Sequence, residues 1–247
     1  MIKLEISSKW VKVNNQGLEI DAYLAAPTAA GIYPGIIVIQ EIFGVNEHIQ
    51  DITERLASEG YMAIAPAIYQ RQAPGFAVGY SEAEVQEGRK YKVQTQASEL
   101  VSDIQSCIAY LYSQPQVKQA GVGTIGFCFG GHVVYLAATL ADVAATASFY
   151  GAGIATWCPG EAEPTISQTK DIKGAIYAFF GTQDPLIPNE QTEQIKQELQ
   201  QQKIEHRVLR YEGATHGFMC DRRPNSYNPD AARDAWKKVL DLFSQKL

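Results

Sequence analysis

The 247-residue chain contains no Gly-x-Ser-x-Gly sequence, so a serine nucleophile on a strand-to-helix elbow is excluded. Its four cysteines, Cys107, Cys128, Cys158 and Cys220, include no Cys-x-x-Cys pair. That spacing suits neither a zinc knuckle nor a disulfide framework, and it fits a reducing compartment. Positive charge is in deficit: 21 Lys and Arg face 27 Asp and Glu, for a net charge of -6. Nucleic acid and anionic membrane are therefore poor partners for the chain. The longest apolar stretch, residues 133–154, is broken by Asp142 and two glycines, which reads as helix plus strand rather than a membrane span. Met1-Ile-Lys-Leu-Glu-Ile6 shows no charged segment followed by an apolar one, so no secretory leader is expected. Only four histidines are present, which narrows the search for a catalytic base. These limits describe a soluble, cytoplasmic enzyme, long enough for one large α/β domain over residues 1–247.

Hydrophobic periodicity supplies the architecture. Residues 9–13 and 18–25 alternate in polarity and flank Asn14-Asn-Gln-Gly17, a hairpin signal. Gly35-Ile-Ile-Val-Ile39 is continuously apolar, as a strand buried on both faces must be. Helical spacing follows over 48–58, then a short strand at 62–65 and a loop over 69–79. A long helical region is expected from 82 to 112, ending before Pro115. Further strands are expected at 122–126, 144–149, 175–180 and 207–211, and helices at 189–202 and 230–243. Strands alternating with helices predict a mostly parallel, twisted sheet of about eight strands with helices on both faces.

Gly126-Phe-Cys-Phe-Gly-Gly-His132 carries the chemistry. A β-branched run precedes it and an apolar helical segment follows, so Cys128 sits at a strand–turn–helix junction. Such an elbow strains the backbone of its central residue, and the flanking residues must be small. It lifts the nucleophile above the sheet and aims the first helical N–H groups, Phe129's among them, at the reacting carbonyl. A buried cysteine acting as a small hydrophobe is the plain alternative, and three glycines at elbow spacing argue against it. A thiol needs a base. His48 opens a helix, His206 opens a strand, and His132 lies within the helix leaving the elbow. His216, in Gly213-Ala-Thr-His-Gly217, follows the strand at 207–211, where the base of this architecture belongs. The orienting acid falls between them in the chain. Asp184 follows the strand at 175–180 directly, in a loop fixed by Gly181 and two prolines, whereas Asp171 and Glu161 have no strand close before them. Glu41 ends the apolar strand at 35–39, a costly place for a carboxylate unless it turns to water.

These segments resemble the dienelactone hydrolase (carboxymethylenebutenolidase) family of α/β-hydrolases. The likeness rests on Gln40-Glu-Ile-Phe-Gly-Val-Asn46, Tyr69-Gln-Arg-Gln-Ala-Pro-Gly75, Gly126-Phe-Cys-Phe-Gly-Gly131, Gly181-Thr-Gln-Asp184 and His216-Gly-Phe218, in that order. The resemblance implies a triad of Cys128, Asp184 and His216, with Glu41 as the carboxylate that meets the thiol. It also implies oxyanion donors at the Ile42 and Phe129 N–H groups, and neither cofactor nor metal. The expected activity is hydrolysis of a small ester or lactone through a thioester. The alternatives are a thioesterase, a general carboxylesterase, or a catalytically silent member that binds a ligand or senses redox state. Family members hold a substrate carboxylate with arginines, one of them four residues past the histidine. Here that position is Cys220, which leaves Arg222, Arg223, Arg89 and Tyr91 as candidate substrate contacts. The expected assembly is a monomer or weak homo-oligomer.

Overall fold

The computed structural model describes residues 3–247. The hairpin is β1 (Ile6–Asn15) and β2 (Leu18–Pro27), and the turn between them places Gln16 and Gly17 at positive φ. The remaining strands are β3 (Tyr33–Ile39), β4 (Met62–Pro66), β5 (Val117–Phe127), β6 (Val143–Phe149), β7 (Ala175–Gly181) and β8 (His206–Tyr211). They form one eight-stranded sheet in the order β1-β2-β4-β3-β5-β6-β7-β8. Only β2 runs against its neighbours, and every pair from β4 to β8 is parallel.

Burial on both faces explains the unbroken apolar runs. Along β3, Ile36 and Val38 join one core with Ile49, Ile52 and Leu56 of α1 (Glu47–Ser58) and Val239 and Phe243 of α6 (Pro229–Lys246). Ile37 and Ile39 point the other way, into a core with Leu100, Ile104 and Leu111 of α3 (Ala97–Tyr112) and Val133 of α4 (Phe129–Ala137). The period of two along a strand divides one apolar run between two cores. A short 3-10 helix (Thr165–Asp171) and α5 (Asn189–Gln201) complete the elements discussed below, together with α2.

The helical region at 82–112 is not continuous. It breaks into α2 (Glu82–Lys92) and α3, with residues 93–96 between them. Thr95 Oγ1 donates to the Lys92 carbonyl at 2.7 Å and the Gln94 side chain to the Lys90 carbonyl at 3.1 Å, so side chains close the end of α2. The Ala97 N–H, at the start of α3, binds the Pro159 carbonyl at 2.8 Å. Periodicity alone misses this break, because short polar side chains rather than Gly or Pro make it. The elbow helix α4 also begins directly after Cys128, and β5 starts at Val117 rather than 122.

His132 holds α4 to the loop after β6. It is fully buried, with Nδ1 against the Ala152 carbonyl at 2.9 Å and Nε2 against Thr165 Oγ1 at 2.6 Å. Burial pushes its pKa down to about 4, against the opposing pull of the Ala152 carbonyl. The folded value lies below the unfolded value, so the unfolded chain binds more protons as the pH falls. The contribution of His132 to stability is therefore complete above about pH 6.5 and is lost toward pH 4. Between pH 7 and 4.5 this loss should be roughly 2–3 kcal/mol. Urea titrations of wild type and His132→Gln at both pH values check it. The variant should be less stable at pH 7 but lose less on acidification, and parallel losses would contradict the assignment.

Candidate active site

Five neighbouring parallel strands deliver their C-terminal ends to one place. β3 leads into Glu41 and Ile42, β5 into Cys128, β6 into Tyr150, β7 into Asp184 and β8 into His216. This is where ligands gather on a parallel sheet.

At the elbow, Cys128 has φ 54 and ψ -116, a conformation an L-residue adopts only under constraint. The constraint is the close approach of α4 to two strands. A Cβ on Gly130 would lie 2.3 Å from the Ile39 carbonyl oxygen, and one on Gly131 would lie 2.2 Å from that of Phe149. The Cys128 N–H is itself held by the Phe149 carbonyl at 3.0 Å. The three glycines of the motif are thus required by backbone packing, and that packing aims the start of α4 at the site.

The acid and base loops are fastened to each other. The Thr182 and Gln183 N–H groups bind the Tyr211 and Ala214 carbonyls, both at 3.0 Å, and the Gly213 N–H binds Thr182 Oγ1 at 3.0 Å. Asp184 accepts from the Leu186 N–H at 2.8 Å through one oxygen. Its other oxygen lies 2.8 Å from His216 Nδ1. The carboxylate is buried, and the imidazole is nearly so. Burial works against charge on His216, but the Cys128 sulfur as thiolate and the Asp184 carboxylate outweigh it and push the pKa up to about 10. Nε2 makes no fully formed hydrogen bond.

Glu41 has a different partner from the one the resemblance implies. Its carboxylate is 1% exposed, and neither oxygen has a hydrogen-bond donor. Its ion-pair partner is Arg223, at 3.7 Å. Burial raises the Glu41 pKa, and Arg223 and then His216 oppose that shift. A positive guanidinium is a better partner for a buried carboxylate than a thiol, and this contact engages one nitrogen of Arg223. The other candidate substrate contacts either have protein partners of their own or lie exposed. Arg222 pairs with Glu47 at 3.3 Å on the surface. The Tyr91 hydroxyl donates to Glu87 on its own helix at 3.1 Å, and Arg89 is exposed. Arg71, from the motif at 69–75, is spent on Asp103 and Glu99 of α3.

Two residues at the site went unread in the sequence. Lys92, at the end of α2, holds its ammonium 4.7 Å from the Trp157 ring centre and 5.6 Å from that of Phe129. Burial lowers its pKa, the Cys128 charge opposes this, and Arg89 adds to the lowering. Among the described residues no carboxylate acts on it. Tyr150 has φ 35, a buried hydroxyl without a partner, and a ring 5.1 Å from that of His216. A tyrosine directly after an apolar strand, before Gly151, was the available signal.

The Ile42 loop also meets α2 closely. A Cβ on Gly88 would lie 2.2 Å from the Ile42 carbonyl oxygen. The Ile42 N–H and the Phe129 N–H, the first of α4, donate to no backbone acceptor among the described residues. Both are available to a developing oxyanion.

Comparison with known proteins identifies relatives over most of the chain. A model of the "Dienelactone hydrolase family" matches residues 20–247. The chain is 57% identical over 244 residues to a "Putative carboxymethylenebutenolidase" of Synechocystis sp., covering 99% of each protein. It is 32% identical to a protein of the same name from Escherichia coli K12, covering 97% of this chain and 88% of that one. A crystal structure of a "Putative Dienelactone Hydrolase" from Klebsiella pneumoniae superposes with a TM-score of 0.88 at 29% identity, covering 98% and 99% of the two chains.

The elbow geometry makes a direct prediction. Gly130→Ala should cost about 1–3 kcal/mol of stability, because the new methyl meets rigid backbone. It should also slow Cys128 alkylation by moving α4. Thermal unfolding and iodoacetamide labelling check both, and an unchanged Tm would contradict the packing argument.

Proposed function

The chain belongs to the dienelactone hydrolase family, and we propose that it hydrolyses a small ester or lactone through a thioester on Cys128. The observation that carries this reading is the convergence of Cys128, His216 and Asp184 at one sheet edge, with His216 Nδ1 2.8 Å from the Asp184 carboxylate.

The Cys128 sulfur attacks the carbonyl carbon, and the oxyanion is received by the Ile42 and Phe129 N–H groups. The tetrahedral intermediate collapses, the C–O bond breaks, and His216 gives its Nε2 proton to the departing alkoxide. In an ester the alcohol leaves; in a lactone it stays tethered to the acyl group. His216, now neutral, takes a proton from water, hydroxide attacks the thioester, and the thiolate departs from the acid. Asp184 accepts from Nδ1–H throughout, which keeps Nε2 facing the sulfur. Glu41 contributes through the field, because its charge favours the imidazolium form of His216.

Lys92 supplies a reason for substrate choice. It is a cation beside the nucleophile with no carboxylate of its own, walled by Trp157 and Phe129. A substrate with a carboxylate a few bonds from its ester carbonyl would satisfy it.

Cys128→Ala and His216→Ala should each lower kcat by roughly 10^3-fold or more, with the double variant scarcely worse, because the groups act as a unit. Steady-state kinetics with an aryl ester check this, and near-wild-type turnover in Cys128→Ala would overturn the reading. Lys92→Met should raise KM for an anionic ester by roughly tenfold while leaving a neutral analogue of equal size nearly unaffected. Equal changes for both substrates would remove Lys92 from the binding site.

A further inference from the structure

On the side of Glu41 away from its strand, three buried side chains from distant parts of the chain come together. Glu41 follows β3, His48 lies in the first turn of α1, and Cys220 follows the His216 loop. One ligand atom from each, a carboxylate oxygen, a ring nitrogen and a sulfur, lies within 4.8 Å of the other two. All three residues are at most 2% exposed. Both Glu41 oxygens and His48 Nε2 lack any hydrogen-bond partner. Buried polar atoms rarely go unpaired, and a buried carboxylate and imidazole without hydrogen-bond partners beside a thiol call for an occupant.

The chemistry of the three donors points to a divalent transition ion. An imidazole nitrogen, a thiolate sulfur and a carboxylate oxygen are a borderline-soft set, suited to Zn²⁺ or Co²⁺ rather than to Mg²⁺ or Ca²⁺. Tetrahedral Zn²⁺ with bonds of roughly 2.0–2.3 Å brings its ligands within about 3.3–3.8 Å of each other, so separations of up to 4.8 Å must close by about 1–1.5 Å. His48 is already in the neutral form a metal needs, because burial pushes its pKa down to about 4. The surrounding charges are mixed. Arg223 faces Glu41, and Arg55, Arg222 and Arg223 act on His48 against a cation, while Asp221 acts on His48 and favours one. The Tyr80 hydroxyl, 3.3 Å from the Cys220 sulfur, completes the surround. A cavity of about 570 Å³, lined by Asn46, Glu47, His48, Tyr80 and Arg222, opens onto the His48 side and gives an ion a way in.

We propose that Glu41, His48 and Cys220 form a binding site for a divalent transition cation of the Zn²⁺ class, separate from the Cys128 nucleophile. Binding displaces the Cys220 proton to solvent, forms the metal–sulfur, metal–nitrogen and metal–oxygen bonds, and leaves the fourth position to water. The ion also draws on the Glu41 charge that otherwise supports His216. If the catalytic reading above holds, occupancy therefore inhibits turnover. Sequence spacing conceals the site, because none of its residues forms a recognisable local metal motif.

The test uses the full chain carrying Cys128→Ala, which removes the active-site thiol as a competitor and makes the result independent of turnover. Titration with Co²⁺ should give a thiolate-to-metal charge-transfer absorption at one equivalent. Adding Cys220→Ser should abolish that absorption, and adding His48→Gln should weaken Co²⁺ affinity roughly tenfold or more, with circular dichroism confirming that each variant is folded. In the otherwise wild-type enzyme, Zn²⁺ should inhibit ester hydrolysis reversibly with a chelator, and Cys220→Ser should retain basal activity while losing the sensitivity. Absence of the absorption in Cys128→Ala, or its persistence without Cys220, would overturn the proposal.

Discussion

The strained backbone of Cys128 is the constraint on which the rest of the site depends. An L-residue at φ 54 is held there only because α4 presses against β3 and β6 at separations that admit no side chain on Gly130 or Gly131. Release of that contact relaxes the elbow and shifts the Cys128 sulfur and the start of α4 together. The parallel sheet supports this strain from below. Cores on both faces, one with α1 and α6 and the other with α3 and α4, make it too stiff to yield. The cost of one residue in a poor conformation is of order 1–3 kcal/mol, small against such burial.

Electrostatics then divides the labour among buried charges. His216 feels both the Cys128 sulfur and the Asp184 carboxylate, which push its pKa up against burial. Glu41 would be costly at its depth without Arg223, and Arg223 is in turn fixed by Glu41. This pairing gives Arg223 a carboxylate partner within the protein. Lys92 remains as the cation with no carboxylate of its own beside the nucleophile. The same buried carboxylate faces His48 and Cys220 on its other side, so one charge lies between two pieces of chemistry.

Much of this was legible in the sequence. An unbroken apolar run at 35–39 can only be a strand buried on two faces, and the elbow glycines mark the turn that raises Cys128. Asp184 was singled out because it closely follows an apolar strand, and His216 because it lies in the loop after β8. The break in the helical region at 82–112 was not legible, since it is made by Thr95 and Gln94 side chains that also occur within helices. Nor was the partner of Glu41, because Arg223 lies 182 residues away and reaches it through a loop whose path no local pattern specifies. Lys92 looked like an ordinary solvated residue at the end of a polar helix. Only the packing of Phe129 and Trp157 around it shows that it faces the nucleophile.

The central claim is that the acyl group passes through Cys128. Rapid acid quench during turnover of an activated ester, followed by proteolysis and mass spectrometry, tests this most directly. The account predicts an acyl adduct on the peptide bearing Cys128, released by hydroxylamine as a thioester must be. An adduct on any other side chain, or none while turnover is under way, would contradict it.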